Sequence, residues 1–356
     1  MTQLDDSYDV VVLGGGAAGL NAALMLARSR RSVAVIDAGA PRNAPAQGVH
    51  GLLGREGMSP LELLELGRAE VRGYGGDVVA GRVVNVARVN RAPEPGIVAD
   101  ERDSVQVGPG DGAAAGAGRR SDVEEFFVTL DDGRTVRARR VLVATGLADE
   151  LPDVPGLREH WGHDVLHCPY CHGWEVRDQR IAVLASGPMS VHQALLFSQL
   201  SDDIVFLSHT ADPLSDEDVE KLVARGIRIV DGKVVEVLGA DRLTGVQLAD
   251  GTVIARDALV VAPRMNTRAT FLTELGLVPE PHPSGMGDHI PADPVGRTSV
   301  PGVWIAGNAT DPSAQVGAAA AAGAMAGAQI NAELVMAETA AAVAAHRADS
   351  VESASV

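Results

Sequence analysis

A glycine triplet set between an apolar run and a helix-forming stretch constrains this chain more than any other feature. Gly14, Gly16 and Gly19 stand in Gly14-Gly-Gly16-Ala-Ala-Gly19, directly after Tyr8-Asp-Val-Val-Val-Val-Leu13 and directly before an Ala/Leu-rich segment, residues 17–28. A continuous apolar run of this kind predicts a strand buried on both faces of a parallel sheet. Ser32-Val-Ala-Val-Ile-Asp37 supplies a second such strand, which completes one β-α-β unit of about 30 residues. The first glycine permits a tight turn, the second lets the backbone approach a ligand, and the third lets helix and strand touch. The helix N-terminus, with Ala17 and Ala18 in its first turn, favours a pyrophosphate. Asp37, followed by Ala38, ends the second strand where a ribose hydroxyl needs an acceptor. These residues predict a dinucleotide site and leave FAD and NAD equally open. A glycine-rich turn in an unrelated α/β protein is the plainer alternative, and the spacing of strand, helix and acid disfavours it.

The pattern then recurs. Arg180-Ile-Ala-Val-Leu184, a helix over residues 191–200 and Ile204-Val-Phe-Leu207 repeat strand, helix and strand, which suggests an internal duplication. Strands near residues 234–237 and 259–261 close this second unit. Gly302-Val-Trp-Ile-Ala-Gly307 and an Ala/Gly-rich helix over residues 317–336 return to the first. The expected architecture is therefore α/β, with two Rossmann-like three-layer domains, the first of them discontinuous. Its parts are residues 1–152 and 263–336, with residues 153–262 between them. A Pro/Gly/Ser-rich insertion spans 90–125, and a flexible tail is expected over 337–356.

Composition bounds the function. A hydrophobic fraction of 46% with 22% charged residues is that of a globular protein. The excess of 47 acidic over 30 basic residues, a net charge of -17, repels phosphate backbones and anionic membranes, so neither nucleic acid nor membrane is an expected partner. No apolar run reaches the roughly 18 residues that span a bilayer, and no leader pattern stands at the start, which makes a cytoplasmic location the expectation.

The chain has only two cysteines, in Cys168-Pro-Tyr-Cys171. That spacing brings two sulfurs within bridging distance across one turn and suits a reversible disulfide. His167 precedes the first cysteine and His172 follows the second, and an imidazole there can carry the proton that thiol exchange moves. Half of a zinc site and a pair of inert buried thiols remain as alternatives, although no second Cys/His pair lies nearby, so no metal is expected.

Taken in order, these motifs resemble the thioredoxin reductase family of pyridine nucleotide-disulfide oxidoreductases. The resemblance rests on Gly14 to Gly19 with Asp37, on Ala144-Thr145-Gly146, on the C-x-x-C inside the second domain, and on Gly302-Val-Trp-Ile-Ala-Gly307-Asn308. It implies FAD in the first domain, with Gly307 and Asn308 near pyrophosphate and ribityl chain and Gln315 and Val316 near the flavin ring. Ala17, Ala18, Ala38, Arg42, Asn43 and Val84 join them as cofactor contacts, and the segment over 41–57 becomes a pocket wall. It further implies a homodimer, with Cys171 against the flavin and Cys168 as the exchange thiol.

Three departures from the family pattern bear on function. His172 stands where the family usually has Asp. Asn308 replaces the usual Asp of the late flavin motif, and an amide still hydrogen-bonds a ribityl hydroxyl. In the second domain, Ala185-Ser-Gly187-Pro-Met-Ser190 places Pro188 where amides should meet phosphate. No Arg pair follows the next strand to clamp a 2'-phosphate, and carboxylates do. NADPH binding is therefore doubtful. The arrangement resembles the family's subgroup that closes disulfides in dithiol natural products such as dithiolopyrrolones and epidithiodiketopiperazines, which carries the same C-x-x-C-H-G. That implies oxidation of a small-molecule dithiol with O2 as acceptor. An NADPH-dependent reductase of a thioredoxin-like protein and a flavin-bound redox sensor are the competing expectations.

Overall fold

The computed structural model describes residues 4–88 and 125–353. Of the expected insertion, residues 90–124 lie outside them. The predicted first unit forms as β1 (Ser7–Leu13), α1 (Ala17–Arg28) and β2 (Val33–Asp37). It is extended by α2 (Pro60–Gly73), β3 (Asp77–Ala80), β4 (Val83–Arg88), β5 (Phe126–Leu130) and β6 (Thr135–Val143). The sheet runs β3-β2-β1-β6-β5-β4. β1 is parallel to both neighbours, with Val12 beside Val35 on one side and Leu142 on the other. Val10, Val12, Val35 and Leu142 enter the core cluster beneath α1, while Val11, Leu13, Ile36 and Val143 enter the one on the opposite face. Burial on both faces is why the strand is apolar throughout instead of alternating.

The chain leaves this sheet through β7 (Leu147–Glu150) and enters a second one built from β8 (Val165–Leu166), β9 (Ile181–Leu184), β10 (Ile204–Leu207), β11 (Arg228–Val230) and a later strand. Between these strands lie α3 (Pro169–His172), α4 (Ser190–Phe197) and α5 (Asp216–Ala224). An antiparallel trio, β12 (Val234–Leu238), β13 (Gly245–Leu248) and β14 (Val253–Ala255), precedes β15 (Ala258–Val261), which completes the parallel order β11-β10-β9-β15-β8. The acidic run before residue 219 has a local role: Ser215 caps α5 by accepting from the Asp218 amide, and Asp216, Glu217 and Asp218 sit in its first turn. Negative charge is favoured there by the helix dipole.

The return crossing is β16 (Arg264–Thr267), paired antiparallel with β7 and tied to it by Asn266 donating to Glu150 at 2.8 Å. A short hairpin of β17 (Glu280–Pro281) and β18 (Asp288–His289) follows. β19 (Val303–Ile305) then lies parallel to the C-terminal half of β6, beyond the part that pairs with β5.

The last helix corrects an expectation. α6 runs over Val316–Ser353, past residue 336, where the sequence predicts its end and the start of a flexible tail. Alanine has the highest intrinsic helix propensity, and six of the nine residues from Ala337 to Ala345 are alanine. Arg31 and Arg139 also grip Glu338 at 2.6 and 2.7 Å and hold its carboxyl down at about 2. Closer in, Gly323 and Gly327 press on Ala18 and Ala22 of α1 so tightly that a Cβ on either glycine would meet that helix's backbone.

Candidate active site

One cavity of about 730 Å³ opens at the carboxyl ends of β1 and β2. Its wall gathers nearly every residue singled out in the sequence. Gly14, Gly16, Ala17, Ala18, Asp37, Ala38, Arg42, Asn43 and Val84 come from the first segment, Ala144, Thr145 and Gly146 from the end of β6, and Gly307, Asn308, Gln315 and Val316 from the last. Cys168, Cys171 and His172 complete it from the second domain. Gly19 is the exception and lies off the wall, where a Cβ would collide with the Gly14 carbonyl and press on Val12. It is the helix-against-strand glycine.

The fingerprint end fits a pyrophosphate. No side chain caps α1, whose N-cap is Gly16, so its first-turn amides are free of side-chain acceptors. A Cβ on Gly16 would meet no protein atom within 4 Å, so the space beside it is open to a ligand. Gly14 and Gly307, at φ 111 and 74, adopt backbone conformations that favour glycine. Asp37 accepts from Gly39 N at 3.1 Å and Arg68 Nη2 at 3.0 Å, which leaves lone pairs for a ribose hydroxyl.

Asn308 explains its own departure from Asp. Its Nδ2 donates to the carbonyls of Asp311, Pro312 and Ala314 at 3.0, 3.3 and 2.8 Å. A carboxylate has no hydrogen to give these carbonyls, whereas the amide has two to share among them and keeps Oδ1 as an acceptor.

At the redox end Cys168 and Cys171 form a disulfide with Cα atoms 5.2 Å apart. Cys168 caps α3, and its carbonyl accepts from His172 N at 3.1 Å. Pro169 occupies the first helical position, where a missing N–H costs nothing. Gly173 is required because a Cβ there would strike the Pro169 carbonyl and Leu200. Gln193, from α4, fixes the strand-side approach by donating to the His167 carbonyl at 2.9 Å. His172 is half-buried. Burial lowers its pKa below the ordinary 6.5, against an opposing pull from Glu175, so it is a neutral base near pH 7.

Two wall residues, Asp149 and His50, were not assigned from sequence, and a third departs from its expected role. Asp149 pairs with Arg42 through two bonds of 2.8 and 2.7 Å and neutralises it, although 107 positions separate them. His50 belongs to the segment expected to wall the pocket, without a role of its own. His167, a candidate proton carrier from its place beside Cys168, has instead a buried Nδ1 with no hydrogen-bond partner.

Burial, aided by Arg42, pushes His167 from 6.5 down to about 4. Between those values the unfolded chain binds a proton that the folded chain refuses, so this contribution is intact above pH 6.5 and lost as pH falls toward 4. The loss amounts to about 3 kcal/mol. Urea unfolding at about pH 7 and about pH 4.5 checks it: in His167→Gln the stability gap between the two should narrow by about 2 kcal/mol.

The second dinucleotide-type loop is closed by its own side chain. Ser190 Oγ accepts from the amides of Ser186 and Gly187 at 3.1 and 3.3 Å and donates to the Gly187 carbonyl at 2.9 Å. Ser186 Oγ is engaged in turn with Ala262 N and O at 3.2 and 3.0 Å. The Ser186 and Gly187 amides, which a phosphate in this loop would meet, are taken. After β10, His209 accepts from Val234 N at 3.1 Å in the place where an arginine would be wanted.

Comparison with known proteins places these features. The family model described as pyridine nucleotide-disulphide oxidoreductase matches residues 8–328. Thioredoxin reductase sirT of Leptosphaeria maculans is 31% identical over 348 residues, covering 94% of this chain and 96% of the relative. Thioredoxin reductase tcpT of Claviceps purpurea is 28% identical over 308 residues, 84% of this chain and 86% of the relative. Among solved structures, HlmI superposes with a TM-score of 0.83 at 43% identity, covering 98% of this chain and 99% of HlmI. No helix among the described residues is long and apolar enough to cross a membrane.

Proposed function

Because the chain belongs to the pyridine nucleotide-disulphide oxidoreductase family, we propose that it is a dithiol oxidase, closing a disulfide in a small molecule that carries two thiols. It is an oxidoreductase acting on thiol and disulfide groups, and FAD is its cofactor. In this reading residues 1–152 and 263–336 hold FAD and residues 153–262 carry the disulfide. The proposal includes a homodimer, taken from the family resemblance, and the cytoplasmic location expected from the sequence.

The observation that carries the proposal is the occupied loop at Ser186 to Ser190. A phosphate there would have to displace Ser190 Oγ from two amides and move Pro188 aside. With that entrance for electrons closed, the remaining donor is the substrate at the Cys168–Cys171 disulfide.

His172 takes the proton of one substrate thiol, and the thiolate attacks Cys168 Sγ. The Cys168–Cys171 bond breaks, its electron pair stays on Cys171, and a mixed disulfide holds the substrate. The second substrate thiolate then attacks its own sulfur partner and expels Cys168 as thiolate. The substrate loses two electrons and two protons, and the cysteines gain the electrons. When bound, FAD supplies a two-electron acceptor that dioxygen can reoxidise to give hydrogen peroxide. Asp149 and Arg42, neutralising each other, keep net charge away from this end of the cavity.

Anaerobic stopped-flow spectroscopy of the yellow holoprotein tests the proposal, with NADPH and dithiothreitol mixed in separately. Dithiothreitol is expected to bleach the flavin while NADPH leaves it oxidised, and air should then restore the colour with peroxide released. The names of the relatives favour a second reading, reduction of a thioredoxin-like protein by NADPH. Fast bleaching by NADPH would establish that reading and overturn the first.

A further inference from the structure

Beside the redox disulfide, a histidine of the first domain meets a carboxylate of the second, three positions past His172. His50, on the loop between β2 and α2, has Nε2 3.4 Å from Glu175 Oε1 and Nδ1 2.6 Å from Glu56 Oε1. Glu56 is held on the same loop by Gly51 N at 2.9 Å, and its side chain is 65% exposed, so this end of the chain of groups reaches solvent. Glu175 sits in the 3-10 turn Trp174–Val176, three positions past His172. The charged and titratable groups acting on His172 are Glu175, His50, His163 and Asp164, and those touching His50 are Glu56 and Glu175. His50, His172 and both cysteines line the same cavity. The thiol chemistry derived above uses neither His50, Glu56 nor Glu175.

That chemistry has a proton problem. Two S–H bonds and the Cys168–Cys171 bond break, one substrate S–S bond forms, two electrons pass to the cysteines, and two protons are set free. His172 holds one proton at a time, so it must release the first before it can accept the second. It is half-buried, and its release route must be built from protein groups or water.

We propose that Glu175 couples His172 to the His50–Glu56 pair, so that protons taken from substrate thiols leave His172 across intervening water to Glu175, and from there along His50 and Glu56. Glu175 and His50 are positioning residues in this scheme, since neither touches the reacting sulfurs. Because His50 stands in the first domain and Glu175 in the second, the same contact joins the pocket wall to the segment that carries the disulfide. The inference rests on the dithiol oxidase reading for its direction of proton flow, while the coupling itself does not depend on the substrate.

The test uses holoprotein with isotope-labelled histidine, in which the His172 resonance is identified by its loss in His172→Asn. Glu175→Gln removes a negative charge that favours the imidazolium, and His50→Asn removes a ring that opposes it when protonated. The His172 titration should therefore move down in Glu175→Gln and up in His50→Asn. The acid limb of the pH profile for anaerobic bleaching by dithiothreitol should follow in the same directions. Both variants should also slow bleaching at saturating dithiothreitol by about tenfold, below the range seen when a general base is removed outright. Unmoved titrations and profiles in both variants, with or without a slower rate, would overturn the proposal and leave these residues a structural role. If the wild type is not bleached by dithiothreitol, the oxidase reading fails, and the two histidine titrations still decide whether the coupling exists.

Discussion

Cys171→Ser will keep the protein yellow and abolish its bleaching by dithiols. The cavity wall around Gly16, Asp37 and Asn308 is built without this sulfur, so cofactor retention does not depend on it. Electron transfer does, because without Cys171 there is no disulfide for a substrate thiolate to open. The rate should fall by about 10⁴-fold or more, the scale expected when a nucleophile that acts as part of a unit is removed. Single-turnover absorbance at the flavin band measures it. The remaining thiol at Cys168 should still react with a chromogenic disulfide, which confirms that the variant is folded and its cavity open. Rapid bleaching of Cys171→Ser by a dithiol would sink the mechanism, since electrons would then reach the flavin without the cysteine pair.

The second large effect separates two glycines of one motif. Gly16→Val places its Cβ more than 4 Å from other parts of the protein, at φ -81, a backbone conformation open to any residue. The fold should survive, while FAD affinity falls by about 100-fold, equivalent to about 2.7 kcal/mol. Gly19→Ala is the reverse case: its methyl would enter the Gly14 carbonyl, away from the cavity wall. Overpacking of this kind costs about 1–3 kcal/mol of fold stability. Flavin retention through gel filtration and thermal unfolding, measured on both variants, should give opposite rankings. Equal loss of cofactor with equal loss of stability would mean that Gly16 has no ligand beside it.

How far the sequence could be read depended on whether the determining contacts were local. β1, α1 and β2 were legible because a buried parallel strand, a tight glycine turn and an alanine-rich helix each follow from neighbours in sequence. The cysteine pair was legible for the same reason. β6 was not fully legible: it pairs with β1 on one edge and with β5 and β19 in succession on the other. Only its apolar C-terminal half carried the pattern of a buried strand. The doubt over the second nucleotide loop came from Pro188, but the group that closes it is Ser190, whose hydroxyl turns back on amides three and four positions away. The Arg42–Asp149 pair and the His50–Glu175 contact join residues more than 100 positions apart. No periodicity or motif encodes such partners: the first joins distant parts of one domain, and the second forms only once the two domains are docked.

The contact between α1 and α6 sets an order of events during synthesis. The helix that follows the cofactor fingerprint is backed by Gly323, Gly327, Ile330 and Leu334, and its sheet takes in β19 beside β6. A ribosome that has released the fingerprint must still make some three hundred further residues before that packing can close. The second domain's parallel strands, all between Val165 and Val261, are complete much earlier. Domains generally fold as units as they emerge. The disulfide-bearing half therefore matures first, while the nascent flavin half waits with its apolar strands uncovered. That interval is where a chaperone, or free FAD in the cell, has the most influence on how much protein reaches the native state.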